Sequence, residues 1–474
     1  MSVQVDVAVI GAGAAGLAAA MAARRRGAST AIVERGRLGG DCTWTGCVPS
    51  KTLIEHAGRV HAARRLGVDV DVDLAAVMRH VRDVITSVAE DESRSTLEAS
   101  GIAVLEGQAS FVTPRQLSVD GTRVDADVVV IATGSAPLIP PVDGLAEAAP
   151  LTNETVFDLV ALPSRMAVLG GGPIGLELGQ AFGRLGSQVT IIEALPRLAS
   201  KEEPEASELL RHVLTSEGVA LALGAPAVRV ERDVAGTTTV TTDDGAQVVC
   251  DALLCAVGRT AITDGLELDR VGVALDSRGH IEVDGRLRTT ARGVYAVGDV
   301  TGKLQFTHAG YEMGALAVDN ALGRIPRSFD TRAVPWATFT DPEVGRVGMT
   351  EDEAFAAHGD AARVAYFPIA ETDRAKVTGD TEGFVKLVAA PHPVVRALGG
   401  GQLVGGTVMC RTGGDVVHEL ALAMRTRMIL GRLAQTVHAY PSWSLAVREA
   451  AAMFFGAHKG REARPARPAT GGAA

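Results

Sequence analysis

A strand, a glycine turn, a helix, a second strand and an acid occur twice in this chain, and that repeat limits the fold more than any other feature. The first copy runs Asp6-Val7-Ala8-Val9-Ile10, Gly11-Ala12-Gly13-Ala14-Ala15-Gly16, an Ala-rich helix from Leu17 to Arg26, then Thr30-Ala31-Ile32-Val33 ending on Glu34. The second runs Met166 to Leu169, Gly170-Gly171-Gly172-Pro173-Ile174-Gly175, a helix to about Leu185, and Gln188 to Ile192 ending on Glu193. From first glycine to acid the spacing is 23 positions in both copies. Glycines let backbone N–H groups approach a pyrophosphate at a helix N-terminus, and the acid suits ribose hydroxyls. One such motif is weak evidence, but two in full context predict an α/β chain with two dinucleotide sites. Glu193 favours a free 2′-hydroxyl and hence NAD over NADP, although Arg197 stands where a 2′-phosphate could be met.

Just after the first copy comes Gly39-Gly40-Asp41-Cys42-Thr43-Trp44-Thr45-Gly46-Cys47-Val48-Pro49-Ser50-Lys51, which runs into a helix-forming stretch from Thr52 to Ala57. In a regular helix an i,i+5 pair is about 7.5 Å apart along the axis, beyond the roughly 6.8 Å Cα limit of an ordinary disulfide. A Cys42–Cys47 bridge therefore requires irregular backbone, which Gly46 and Pro49 can supply. Strained bridges are the readily reduced ones. The alternatives are two unrelated thiols or half of a metal site, and no second Cys/His pair at ligand spacing supports the latter; no metal is expected.

A length of 474 residues allows two to four domains. Acidic residues outnumber basic ones, 56 to 46, which leaves no basic footprint for nucleic acid or an anionic membrane. No apolar run reaches the ~20 residues of a membrane span, and Val3 to Ile10 already reads as a strand, so the expected location is cytoplasmic. Five cysteines do not make a disulfide framework. Cys250 and Cys255 lie in a strand-like run from Val248 to Val257, on opposite faces by their odd spacing, and read as core, as does Cys410.

Between the two units, Phe111 to Val130 alternates as sheet, with a turn at Asp120-Gly121. Buried strands end at Ala132-Thr133-Gly134-Ser135 and at Val257-Gly258-Arg259, and Gly293 to Gly298 aims Asp299 at a strand end where an acid suits a ribityl hydroxyl. From about Pro335 short strands (Ala337 to Thr340, Phe384 to Val388, Leu403 to Val408) alternate with helices near Val416 to Arg425 and Ser444 to Phe455. The stretch from Lys459 to Ala474, rich in Arg, Pro, Ala and Gly, reads as disordered.

The cysteine stretch, the two nucleotide units, Ala132-Thr133-Gly134, Gly293 to Asp299, and a C-terminal segment opening Phe339-Thr340-Asp341-Pro342-Glu343 together resemble the pyridine nucleotide-disulfide oxidoreductases. That family includes dihydrolipoamide dehydrogenase, glutathione reductase and mercuric reductase. The resemblance, over roughly residues 4 to 456, implies two nested Rossmann-like domains plus a C-terminal α+β dimerisation domain. It divides the chain into an FAD-binding domain (1–150 and 272–334), an NAD(P)-binding domain (151–271), a dimerisation domain (335–456) and a tail (457–474). It also implies that hydride passes from NAD(P)H through FAD to a disulfide. Gly11, Gly13, Gly16, Glu34, Lys51, Thr133, Gly134 and Asp299 would hold FAD; Gly170, Gly172, Gly175, Glu193 and Gly258 would hold NAD. Cys47 would be the charge-transfer thiolate, Cys42 the exchange thiol, and Glu177 the carboxylate partner of Lys51 beside the flavin.

One departure bears on the substrate. Disulfide-reducing members end in a motif like His-x-His-Pro-Thr-x-x-Glu, and this chain has His438-Ala439-Tyr440-Pro441-Ser442-Trp443-Ser444-Leu445. Tyr440 replaces the catalytic His and Leu445 its Glu, and a phenol near pKa 10 is a poor acid-base group at neutral pH. The expectation is a homodimer of the mercuric reductase-like branch, with Tyr440 of one subunit facing Cys42 of the other. It would reduce a small acceptor such as a metal ion, quinone or electrophile. The C-terminal cysteine pair of mercuric reductases is nevertheless missing from the end Gly471-Gly472-Ala473-Ala474. A dihydrolipoamide dehydrogenase-like enzyme without the dyad and a flavin-bound redox sensor are the alternatives.

Overall fold

The computed structural model describes residues 2–394 and 396–468. They form two compact units, one comprising the N-terminal segment to His56, Asp69–Leu162 and Leu254–Phe329, the other Ala57–Val68, Pro163–Leu253 and the chain from Asp330 on.

In the first unit the Val/Ala/Ile runs become buried parallel strands. β1 (Ser2–Ile10) lies between β2 (Thr30–Glu34) and β6 (Thr122–Ile131), with β3 (Ile102–Glu106) beyond β2. Val7 to Ile10 are all buried, the continuous apolar pattern of a strand covered on both faces. The helix α1 (Ala14–Arg25) covers one face, and its alanines let Thr307–Leu322 approach so closely that a Cβ on Gly314 would lie 2.1 Å from Ala15 O. β6 changes partners along its length. Its first half pairs antiparallel with β5 (Gln116–Val119), which pairs with β4 (Ala109–Thr113), and its last three residues take Val294–Ala296 in parallel. The hairpin turns at Asp120 and Gly121, with φ of 44° and 85°.

The second unit holds the repeat of the first: parallel strands in the order Ala220–Leu223, Gln188–Glu193, Arg165–Leu169, with Ala252–Cys255 next in the sheet and the helix Pro173–Leu185 following the glycines. A six-stranded antiparallel sheet carries the C-terminal part, and its inner face (Phe367, Val385, Leu387, Val408) packs on Val417 and Leu420 of the helix Gly413–Arg425.

Two expectations change. The run Val248 to Val257 is not one strand: Gln247–Cys250 and Ala252–Cys255 belong to different sheets, parted at Asp251, whose carboxylate sits 2.5 Å from Arg165. Both cysteines are buried, as core residues. The stretch 457–474 is ordered as far as it is described: Arg464–Pro465 pairs with Arg363–Pro368, and Arg464 is ion-paired to Glu351. Composition does not reveal an anchor so distant in sequence. Residues 469–474 of the expected tail lie outside the described residues. Among those described, no helix is long and apolar enough to cross a membrane.

Candidate active site

The two glycine turns are built alike. Gly11 and Gly170 have φ of 101° and 106°, and a Cβ on Gly16 or Gly175 would stand 1.9 Å from the carbonyl oxygen of Gly11 or Gly170. Gly13 and Gly172 cap the following helices in extended geometry. Each acid braces its own turn: Glu34 accepts from Ala12 N (2.7 Å) and Gly36 N (2.8 Å), and Glu193 from Gly171 N (2.6 Å) and Leu195 N (2.7 Å). A shallow cleft opens beside the first turn, lined by Gly11, Glu34, Gly107, Thr133, Asp264 and Leu266. Its two carboxylates, Glu34 and Asp264, suit the hydroxyls of a nucleoside. Arg197 donates to Ser200 O at 2.8 Å, within its own loop.

Further along the first unit, Thr133 donates to Ile262 O (2.6 Å) and Gly134 has φ of 72°. Gly258 has φ of 152°. Asp299 does not cap the next helix, whose N-cap is Phe306. It accepts instead from Ser135 Oγ at 2.6 Å, and burial pushes its carboxyl up against the pull of that hydroxyl and of Arg259.

At the cysteines, α2 (Gly40–Trp44) stops at Thr45, with φ −140° and ψ 3°, and α3 (Cys47–Arg65) begins at Cys47. The break depends on Gly46, where a Cβ would lie 2.9 Å from Asp41 O. Pro49 sits within the first turn of α3, where its missing N–H costs little, so it does not contribute the irregularity. The expected bridge is not formed here: Cys42 and Cys47 are not joined by a disulfide. They are hydrogen-bonded to each other, and this contact, followed by burial, pushes the Cys42 thiol far above its usual range. The Thr307 hydroxyl lies 3.5 Å from Cys47 Sγ and also bonds Cys42, where it acts in the opposite direction. Lys51, one turn on in α3, is half-buried.

Three residues that sequence reasoning passed over hold this turn. Arg259 reaches Asp41 Oδ2 at 2.9 Å, donates to Ser135 Oγ and O at 2.7 and 2.8 Å, and lies 3.7 Å from Asp299. Asn153 donates to Asp41 Oδ1 (3.1 Å) and Thr45 O (3.3 Å). Asp41, the third, also accepts from Thr45 Oγ1 at 2.5 Å. The Gly258-Arg259 pair was visible in sequence, but nothing local marked its arginine as a partner of residue 41.

In the second unit, Glu177 is 5% exposed and accepts from Phe339 N at 2.8 Å. Tyr440 donates its phenol proton to Asp373 at 2.9 Å, and that bond raises the phenol above its ordinary pKa. The His438 side chain is 6% exposed, with Nε2 at 2.9 Å from Glu419 and Nδ1 at 3.0 Å from Thr436 O. Both its ring nitrogens are engaged, so it does not stand in for the missing histidine. Leu445 opens the helix Leu445–Ala452.

Two glycine cradles and a contacting thiol pair at a helix break are the equipment of an oxidoreductase. The chain belongs to the pyridine nucleotide-disulphide oxidoreductase family: the family model matches residues 5–314 and its dimerisation domain residues 334–451. A mercuric reductase of Streptomyces lividans is 38% identical over 464 residues, covering 95% of this chain and 96% of that protein. A dihydrolipoyl dehydrogenase of Chlorobaculum tepidum is 35% identical, covering 95% and 97%. Among solved structures, the Cu(II) complex of the HOCl-induced flavoprotein disulfide reductase RclA from Escherichia coli superposes with a TM-score of 0.85 at 28% identity, over 95% of this chain and 99% of that one. The family uses FAD and NAD(P)H.

Proposed function

We propose that this protein is an NADH-dependent reductase in which Cys42 and Cys47 form the working dithiol–disulfide couple and pass electrons to a soft or electron-accepting small molecule. When bound, FAD supplies two-electron transfer between nicotinamide and the cysteines. Gly11, Gly13, Gly16, Glu34, Thr133, Gly134 and Asp299 fit its dinucleotide and ribityl parts; Gly170, Gly172, Gly175, Glu193 and Gly258 fit the nicotinamide dinucleotide. NAD is favoured because Glu193 stands at the ribose end of the second cradle while Arg197 is turned onto Ser200. Lys51 supplies a cation one turn from Cys47, and Glu177 is the buried carboxylate that the family pattern assigns to it.

The observation that carries the choice of acceptor is the state of the C-terminal stretch. Tyr440 has its proton committed to Asp373 and the His438 side chain is held on Glu419, so neither of these two residues is ready to protonate a leaving thiolate. Metal ions, quinones and electrophiles do not need that proton. RclA was solved with Cu(II), which supports a metal ion as one acceptor class. An anaerobic NADH titration tests the reading through the long-wavelength absorbance of a thiolate lying against flavin. The band should form, vanish in Cys47→Ser, and be discharged quickly by a metal ion or quinone but slowly by lipoamide. Fast discharge by lipoamide points to the dihydrolipoyl dehydrogenase reading; flavin reduction with no band takes the cysteines off the path.

A further inference from the structure

Asp41 precedes Cys42, and its partly exposed carboxylate is held by three side chains. Oδ2 meets Arg259 at 2.9 Å, and Oδ1 meets Asn153 Nδ2 at 3.1 Å and Thr45 Oγ1 at 2.5 Å. Asn153 is 7% exposed and donates a second bond to Thr45 O, the residue at which α2 stops. Its amide oxygen in turn faces Arg259 Nη1 at 3.4 Å. The network thus holds the end of α2 from Asp41 to Thr45, directly before the break between the two cysteines, and the path of the chain there bears on how far apart the thiols stand.

We infer that Asp41, Asn153 and Arg259 are positioning residues that set the dithiol–disulfide equilibrium of Cys42 and Cys47 by holding the Thr45–Gly46 break in one conformation. The inference rests on the reading of those cysteines as a redox couple. Disulfide geometry is narrow, with Cβ atoms about 3.8 Å apart, so a break free to open lowers the effective concentration of one thiol at the other. Arg259 is suited to the role because its planar fork binds Asp41 and the Ser135 backbone together, which a lysine cannot do. Loss of the grip should therefore shift the couple toward the dithiol.

The test equilibrates flavin-loaded full-length protein with mixtures of reduced and oxidised dithiothreitol, followed by acid quench, alkylation and intact mass. In this exchange the Cys42–Cys47 S–S bond takes two electrons and two protons from dithiothreitol, which closes its own ring disulfide. Asp41→Asn keeps the side chain's shape and removes the ion pair; Asn153→Ala removes the amide. Each should shift the equilibrium about tenfold toward the dithiol, equivalent to about 30 mV, and Asp41→Glu should recover part of it. Arg165→Ala, which breaks an exposed ion pair elsewhere, should leave it unmoved, separating positioning from general destabilisation. Equilibria within twofold of wild type in both network variants overturn the inference. A wild-type protein with no reducible Cys42–Cys47 bond overturns the redox-couple reading instead. Should Asn153→Ala fail to load flavin, the isosteric Asp41→Asn carries the test by itself.

Discussion

Tyr440 shows how one residue narrows the chemistry. A carboxylate accepting the phenol's hydrogen bond disfavours tyrosinate, so Asp373 keeps Tyr440 protonated through and above neutral pH. Tyr440 then serves as a fixed donor or a contact, never as a group that cycles its proton. Tyr440→Phe should lower turnover by about fivefold, the worth of one hydrogen bond of about 1 kcal/mol, with flavin content intact; steady-state rates with each acceptor and the flavin spectrum measure both. Unchanged kinetics with every acceptor would remove Tyr440 from the mechanism. The cysteines, the glycines and Tyr440 were legible because each departs from or matches a short local pattern. Asp373, Arg259 and Asn153 were not, because their partners lie 67, 218 and 112 residues away and nothing in their own neighbourhoods reports a long-range contact.

At the scale of elements, the two cradles are copies in geometry as well as sequence, and the close approach at Gly175 makes the second one testable alone. An added methyl 1.9 Å from Gly170 O must push the helix Pro173–Leu185 off its strand. Gly175→Ala should therefore abolish flavin reduction by NADH while dithionite still reduces the bound flavin, as stopped-flow absorbance would show. The helix Gly413–Arg425 offers a different handle. Its Gly414 N–H donates to Glu343 at 2.8 Å, yet burial, the largest influence, raises that carboxyl to about 7. A folded value above the unfolded one means that the native state binds the extra proton. The contribution of Glu343 to stability is therefore greatest below the ordinary carboxylate range and declines as pH rises from about 4.5 to about 7. Glu343→Gln should flatten that decline, read as a smaller difference between melting temperatures at pH 5 and pH 8. The helix itself was predictable from apolar spacing; the proton on Glu343 was not, since desolvation is a property of the packed sheet.

For the whole molecule, the family's dimerisation domain is at residues 334–451, and a site that draws Cys42 from one subunit and Tyr440 from the other would make activity a property of the pair. Mixed dimers decide this. A dimer with Cys42→Ser in one chain and Tyr440→Phe in the other has, if residues act across the interface, one site with both groups intact and one with neither. Its rate should be about half that of wild type. If Tyr440 serves its own subunit, the surviving Cys42 is paired with Phe, and the same dimer should run at about a tenth, taking the fivefold loss above. Differently tagged chains, co-expressed and purified through both tags, give the mixed species free of either parent. The parents set the scale, with Cys42→Ser inactive and Tyr440→Phe at about a fifth. A mixed dimer faster than the Tyr440→Phe parent can arise only by exchange of the C-terminal stretch between subunits. A rate at a tenth places Tyr440 in its own subunit's site and withdraws the shared-site reading, leaving the cysteine chemistry untouched.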